Sequence, residues 1–325
     1  MLFRSVSGAG VTRAGGNDAP LYSAVAEGPD NGRAVWLQAD GARIRVAVWA
    51  ADAPRGTVFL YPGRTEYVEK YGRSAAALAE AGYATISLDW RGQGLSDRVM
   101  KDPMVGHVGD FAEFQADFAA VLAYARAQGL PEPYFLMAHS MGGCIGLRSL
   151  LDGAPFQAGA FTAPMWGILM ADWMRPIAAA LSTTSQWMGF DHRYAPGTSS
   201  RSYVLDVPFV GNTLTTDAEM WDYMRRQALA HPDLVLGGPS LGWLKAALDE
   251  CAALAAMASP ACPIVCGLGN QERIVDVRPI HDRMARWPGG RLDMYAGAEH
   301  EVLMERPATR TAFIASAVAL FEANR

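Results

Sequence analysis

The chain has 325 residues, half of them hydrophobic and 19% charged, enough to bury a large α/β core. Its net charge is −5, and its 28 Lys and Arg residues are scattered rather than blocked, which excludes the basic footprint of a nucleic-acid binder. The absence of about 18 consecutive strongly apolar residues excludes a transmembrane helix, leaving small lipid-like molecules and peripheral membrane contact as partner classes.

Residues 1–30 are rich in Gly, Ala and Ser and contain no apolar run of signal-peptide length, so they read as a loosely ordered lead-in to a cytoplasmic protein. The runs VWLQ (35–38) and ARIRVAVWAA (42–51) flank Asp40-Gly41, and the second alternates apolar with polar residues, which predicts an antiparallel strand pair. From there the pattern changes. TVFLYPG (57–63), ATISLDW (84–90) and YFLMAHS (134–140) are nearly continuous apolar runs, each followed by a helical segment: 70–82, 110–129 and 141–153. That alternation predicts βαβ units and a parallel sheet buried on both faces.

FQAGAFTAP (156–164), ACPIVCGLG (261–269) and RLDMYAGA (291–298) supply three more strands, and residues 309–325 a closing amphipathic helix. The expected fold class is α/β, with about eight mostly parallel strands and helices on both faces. Residues 1–164 and 241–325 would form the core, and 165–240 a helical cap inserted between the sixth and seventh of these strands. The cap segment is rich in Met165, Trp166, Trp173, Trp187 and Met188, which could form an apolar chamber for an acyl chain.

In FLMAHSMGG (135–143) a strand ends in Ser140, followed at once by Met-Gly-Gly and a helical run. This is the context of a nucleophile elbow, although Ala138 stands where the G-x-S-x-G pattern has its first glycine. A serine needs a base and a group to orient that base, in the chain order Ser, acid, His. His300 lies on the loop past the last strand and is favoured over His281, which falls on a helix. After the seventh strand, GNQERIVD offers Glu272 on the loop, with Asp276 as the alternative acid where a helix N-cap is expected. Backbone N–H groups of Met141 and of Arg64, just after Gly63, are the candidate oxyanion donors.

These residues and their surrounding motifs resemble the serine-hydrolase branch of the α/β-hydrolase fold, the serine aminopeptidase S33-type family of monoacylglycerol lipases and lysophospholipase L2. PGRTEYVEKY (62–71), LDWRGQGLSD (88–97), DPMVGHVGDF (102–111), LMAHSMGGCIG (136–146) and AEHEVLME (298–305) carry the resemblance, which spans roughly residues 55–325. It implies Ser140 as nucleophile and His300 as base, and it favours Glu272 as acid. It also implies an acyl ester substrate, by family precedent a lysophospholipid first, with carboxylester, monoacylglycerol and aminoacyl substrates as alternatives. A peptidase would need an acidic anchor, for which Glu219 or Asp222 is available. A phosphodiester headgroup could meet Arg193, Arg201, Arg225 or Arg226. Cys262 and Cys266 lack further ligands at metal spacing, so no metal is expected, and the chemistry calls for no cofactor.

Overall fold

The computed structural model describes residues 17–50, 55–171 and 173–325. An N-terminal antiparallel portion comprises β1 (Asn17–Ala19), β2 (Arg33–Ala39) and β3 (Ala42–Trp49), with the short helix α1 (Ser23–Ala26) between the first two strands. Asp40 and Gly41 form the β2–β3 turn at φ 39° and 80°. Positive φ at both central residues matches the twist of a tight hairpin. Then come β4 (Thr57–Tyr61), α2 (Gly72–Glu80), β5 (Ala84–Asp89), α3 (Ala112–Ala127), β6 (Tyr134–His139), α4 (Met141–Leu151) and β7 (Phe156–Thr162). Helices α5 (Met174–Trp187), α6 (Tyr203–Asp206), α7 (Ala218–Ala230) and α8 (Leu241–Ala256) separate β7 from β8 (Ile264–Gly269). The chain closes with α9 (Val277–Met284), β9 (Gly290–Tyr295) and α10 (Pro307–Ala323).

The nine strands form one sheet in the order β1-β2-β3-β5-β4-β6-β7-β8-β9, antiparallel as far as β5 and parallel from there on. The ninth strand comes from the lead-in, which is built into the fold from Asn17 onward; residues 1–16 lie outside the described residues. Three contacts hold this segment in place. Asn17–Ala19 covers the edge of β2, and the Tyr22 backbone N–H donates to Glu69 while its ring stacks on His231.

Every residue of β4, β5, β6 and β8 is buried, which is why these strands read as unbroken apolar runs. Alternate residues feed opposite faces. Phe59, Tyr61 and Leu136 join α3, α4, α8 and α9 residues such as Phe118, Ile145, Trp243 and Ile280. Val58, Leu60 and Phe135 join Leu78 of α2, Tyr223 of α7 and Phe313 of α10. Cys266 lies buried among the first set, and the described cysteines are free thiols.

The topology also fixes where a site can form. From β4 the chain passes to β5 on one side and then returns to β6 on the other, so strand order reverses between β4 and β6. Connections leaving the carboxyl ends of two such strands diverge, opening a crevice between them. The loops that leave these two ends begin at Pro62 and Ser140.

Candidate active site

Ser140 follows β6 directly with φ 49° and ψ −117°, a backbone conformation that is strained for any residue with a side chain. The surroundings enforce it. The Ser140 N–H donates to Thr162 O at 3.1 Å, and its carbonyl accepts from Gly143 at 2.9 Å and Met165 at 2.8 Å. Helix α4 must then start directly under β4. A Cβ on Gly142 would collide with the carbonyl oxygens of Tyr61 and Pro62, so the helix-side glycine is a steric necessity. Ala138, in contrast, points into the core beside Phe161 and is accommodated there.

The Ser140 hydroxyl lies 2.9 Å from His300 Nε2, and His300 Nδ1 lies 2.7 Å from Glu272 Oε2. With the Nδ1 proton donated to the carboxylate, Nε2 is left as an acceptor facing the hydroxyl. Burial by itself would raise the Glu272 carboxyl, but the hydrogen bond and charge of His300, with the Ile274 and Val275 N–H groups, hold it below the usual range. Those two N–H groups bind Glu272 Oε1 at 2.6 and 3.0 Å, which turns the other oxygen toward the imidazole. Asp276 does something else: it caps α9 through the Arg278 N–H and pairs with the Arg278 guanidinium. His281 is exposed on α9, away from this group.

The His300 loop is tied down on both sides. Glu305, itself buried, accepts from the Glu299 N–H and from Thr216, while the Glu301 N–H donates to Leu214 O. This explains the spacing of Glu305 from His300 in AEHEVLME.

The loop after β4 is held by the segment LDWRGQGLSD. Trp90 Nε1 donates to Pro62 O at 2.9 Å, Gln93 Nε2 donates to Gly63 O at 3.1 Å, and the Thr65 N–H donates to Gln93 Oε1 at 2.8 Å. Asp89 accepts from the Val68 and Leu95 N–H groups and from Arg45. Among the described residues, none accepts from the Arg64 backbone N–H. The Met141 N–H is in the first turn of α4, where helical N–H groups lack an intrahelical partner and the helix dipole favours negative charge.

These elements border a cavity of about 380 Å³ that reaches Ser140 and His300. Met165, Ile168, Leu214, Met224 and Val235 form much of its apolar wall. Beside the imidazole is a polar wall of Glu66, Lys70, His139 and Glu301. Glu66, His139 and Glu301 converge as metal ligands would, but the Lys70 ammonium stands 2.8 Å from Glu66 and 2.7 Å from Glu301, so the protein supplies the positive charge there itself. Burial opposes the Lys70 charge, yet its two carboxylates outweigh burial and raise it. Burial likewise opposes ionisation of Glu66, but Lys70, His139 and Tyr71 bring its carboxyl down to about 2. His139 is driven down to about 3 by burial and is therefore neutral, with its ring 4.8 Å from that of His300.

The profile of the Hydrolase_4 family, serine aminopeptidase S33, matches residues 52–307. The chain belongs to that family. It is 30% identical over 304 residues to lysophospholipase L2 of Escherichia coli strain K12, with 88% of each chain covered. It is 27% identical over 278 residues to a monoacylglycerol lipase of Mycolicibacterium smegmatis, covering 82% of this chain and 88% of that one. Among solved structures, a soluble variant of Saccharomyces cerevisiae monoglyceride lipase shares the fold with a TM-score of 0.70 at 18% identity, covering 89% of this chain and 94% of that one. The protein is thus an α/β-hydrolase with a lysophospholipase-like sequence.

Within this S33-family fold, Ser140, His300 and Glu272 come together, and Arg64 and Met165 join Ser140 along the cavity wall. Other candidates fall elsewhere. Trp166 is buried in the core, donating to Gly143 O and stacking on Trp287, while Trp173 and Trp187 are 69% and 86% exposed; none of the three lines the cavity. Glu219 pairs with Arg73 and Asp222 with Arg226, outside the cavity. Arg193, Arg201, Arg225 and Arg226 do not line it either. The Glu66–Lys70–Glu301 group went unread in the sequence. Its one local sign is the i, i+4 spacing of Glu66 and Lys70.

Proposed function

We propose that the chain is a serine ester hydrolase whose nucleophile is Ser140, base His300 and acid Glu272, acting on single-chain lipid esters, lysophospholipids foremost. The observation that carries this reading is the unbroken line from Glu272 through His300 to a strained Ser140 at the wall of a largely apolar cavity. Ser140 attacks the ester carbonyl while His300 Nε2 takes its proton. The N–H groups of Met141 and Arg64 stabilise the oxyanion, and His300 returns the proton to the leaving alcohol. Water, deprotonated by the same imidazole, then releases the fatty acid from the acyl-enzyme. Glu272 keeps the Nδ1 proton in place and stabilises the imidazolium in both steps.

The substrate class is supported by the 30% identical lysophospholipase L2 and by a cavity sized for one acyl chain. Residues 165–240 act as the cap: Met165, Ser202, Tyr203, Leu214 and Met224 contribute to the cavity wall. We further read the outward face of this segment as a peripheral membrane contact. Leu169, Trp173, Trp187 and Met188 are exposed there, and large apolar side chains in such a group favour an interface. Among the described residues no helix is long and apolar enough to cross a membrane.

The test compares wild type and Ser140→Ala on a lysophospholipid, a monoacylglycerol, a short nitrophenyl ester and an aminoacyl amide, with fluorophosphonate labelling alongside. Ester turnover and labelling that both vanish in the variant support the reading. Turnover of the amide alone would replace it with a peptidase, and wild type that is folded yet unlabelled would remove it.

A further inference from the structure

The Arg64 side chain is half-buried, yet it has fewer partners than the buried arginines of this fold. Arg45 pairs with Glu69 and Asp89, and Arg91 with Glu113 and Asp117. Arg98 and Arg283 have no carboxylate within ion-pair distance among the described residues, but they use their N–H groups on neighbouring oxygens: Arg98 on the carbonyls of Gly94, Pro103, Asp233 and Val235, Arg283 on Leu254 O, Met257 O and Ser259 Oγ. Arg64 has neither compensation. Among the described residues its guanidinium donates one hydrogen bond, to Gly237 O at 2.9 Å, and lies 5.6 Å from the Trp243 ring centroid.

A guanidinium carries five N–H donors, so most of those on Arg64 are unspent. Burial lowers it to about 10, with no carboxylate opposing the shift, so it remains charged at neutral pH. The other cation of the cavity, Lys70, is already shared between Glu66 and Glu301 and does not compete for a new anion. A half-buried guanidinium without a carboxylate partner is under-satisfied in the unliganded protein. Arg64 lines the same cavity as Ser140.

We propose that the Arg64 guanidinium receives the phosphodiester of a lysophospholipid headgroup and thereby makes this hydrolase prefer lysophospholipids to neutral monoacylglycerols of the same acyl chain. The inference rests on the ester-hydrolase reading above. One residue serves two parts of one substrate: its backbone N–H faces the ester carbonyl, and its side chain reaches the phosphate. The glycerol carbons that separate those two groups in the substrate are matched by the three methylenes that separate them in Arg64. The planar fork of donors suits two phosphate oxygens at once, a geometry that an ammonium lacks.

The experiment measures kcat/KM for a lysophosphatidylcholine and a monoacylglycerol of equal chain length in wild type, Arg64→Gln and Arg64→Lys, with thermal unfolding to confirm that each is folded. Gln retains a donor for Gly237 O but removes the charge; Lys retains the charge but loses the fork. Wild type is expected to favour the lysophospholipid. The preference ratio should fall about 10- to 100-fold in Arg64→Gln, the worth of a charge-assisted hydrogen bond, and recover in part in Arg64→Lys. A ratio unchanged in Arg64→Gln, including an equal loss on both substrates, would overturn the proposal and leave Arg64 a support of its loop. Altered inhibition by free fatty acid with an unchanged ratio would reassign the guanidinium to the product carboxylate and overturn it as well. Wild type that turns over no ester and takes no fluorophosphonate label would instead defeat the underlying hydrolase reading, a result distinct from either of these.

Discussion

Glu272 Oε2 stands 2.7 Å from His300 Nδ1, whereas Asp276, four residues further along the same loop, caps α9 instead. The two carboxylates are thus separated by task, and their amide variants should separate too. Glu272→Gln places an amide against Nδ1 and loses both the tautomer control and the stabilisation of the imidazolium. It is expected to lower kcat by on the order of 10⁴ with little change in unfolding temperature. Asp276→Asn should leave kcat within a few-fold and cost about 1 kcal/mol or less in denaturant unfolding, because Asn also caps helices well. Activity lost only in the Asp276 variant would reverse the assignment.

Ser140 is held at φ 49° by its neighbours, and that strain has a measurable consequence. Ser140→Ala and Ser140→Gly should both lose on the order of 10⁶ in kcat, since either removes the nucleophile. They should differ in stability. Alanine keeps a Cβ in the strained conformation, whereas glycine occupies positive φ freely, so Ser140→Gly is expected to unfold about 1 kcal/mol later than Ser140→Ala. Equal stabilities by urea denaturation would mean that the elbow stores no strain.

Much of this arrangement was legible in the sequence because it is local. Continuous apolar runs marked the doubly buried strands, and Ser140 and Glu272 each follow the end of such a run, while His300 follows the half-exposed edge strand β9. The ambiguous sign was Ala138, and the geometry explains why it matters less than its counterpart. Ala138 faces core side chains, which can repack, whereas Gly142 faces the carbonyls of Tyr61 and Pro62, which cannot. What stayed hidden depends on distant pairings. Lys70 meets Glu301 from the far end of the chain, and the donors of Arg64 are unspent only because no carboxylate folds against them. The tryptophans misled for a related reason: hydrophobicity does not say whether a residue lines a cavity, fills the core or stays exposed, and Trp166 is buried in the core while Trp173 and Trp187 are exposed.

That steric contrast yields a prediction of its own. Gly142→Ala must push α4 away from β4 or break the elbow, and it is expected to cost about 3 kcal/mol or more or to prevent folding. Ala138→Gly should fold and should lose only on the order of 1 kcal/mol, the cost of a glycine within a strand together with one lost methyl contact. Comparable unfolding midpoints for the two variants would contradict the assignment of steric roles.

Glu66 gives the polar wall a pH signature. Its folded-state carboxyl lies at about 2 against an ordinary value of 4.5. A depressed carboxyl contributes stability that is complete above its unfolded value and is lost as pH falls through the folded one. The difference amounts to about 3 kcal/mol at 1.36 kcal/mol per unit. Glu66→Gln should therefore be less stable than wild type at pH 6, and the gap should narrow by that order between pH 5 and pH 2. A gap independent of pH in urea titrations would show that Glu66 acts through hydrogen bonding and packing alone.

The exposed apolar face of the cap segment makes the membrane reading testable without touching the chemistry. Trp187 is 86% exposed, Trp173 69% and Met188 59%, and none of them lines the cavity. Replacing exposed Trp by Ser removes apolar surface that costs free energy in water and would gain it at a lipid interface, where indole is especially favoured. Trp173→Ser/Trp187→Ser should thus bind phosphatidylglycerol–phosphatidylcholine vesicles at least about 10-fold more weakly in a sedimentation assay, the equivalent of about 1.4 kcal/mol. Its kcat on a water-soluble nitrophenyl ester should match wild type, while turnover of lysophospholipid presented in those vesicles should fall. Unchanged vesicle binding would assign these side chains to the surface of the cap and remove the membrane from the functional reading.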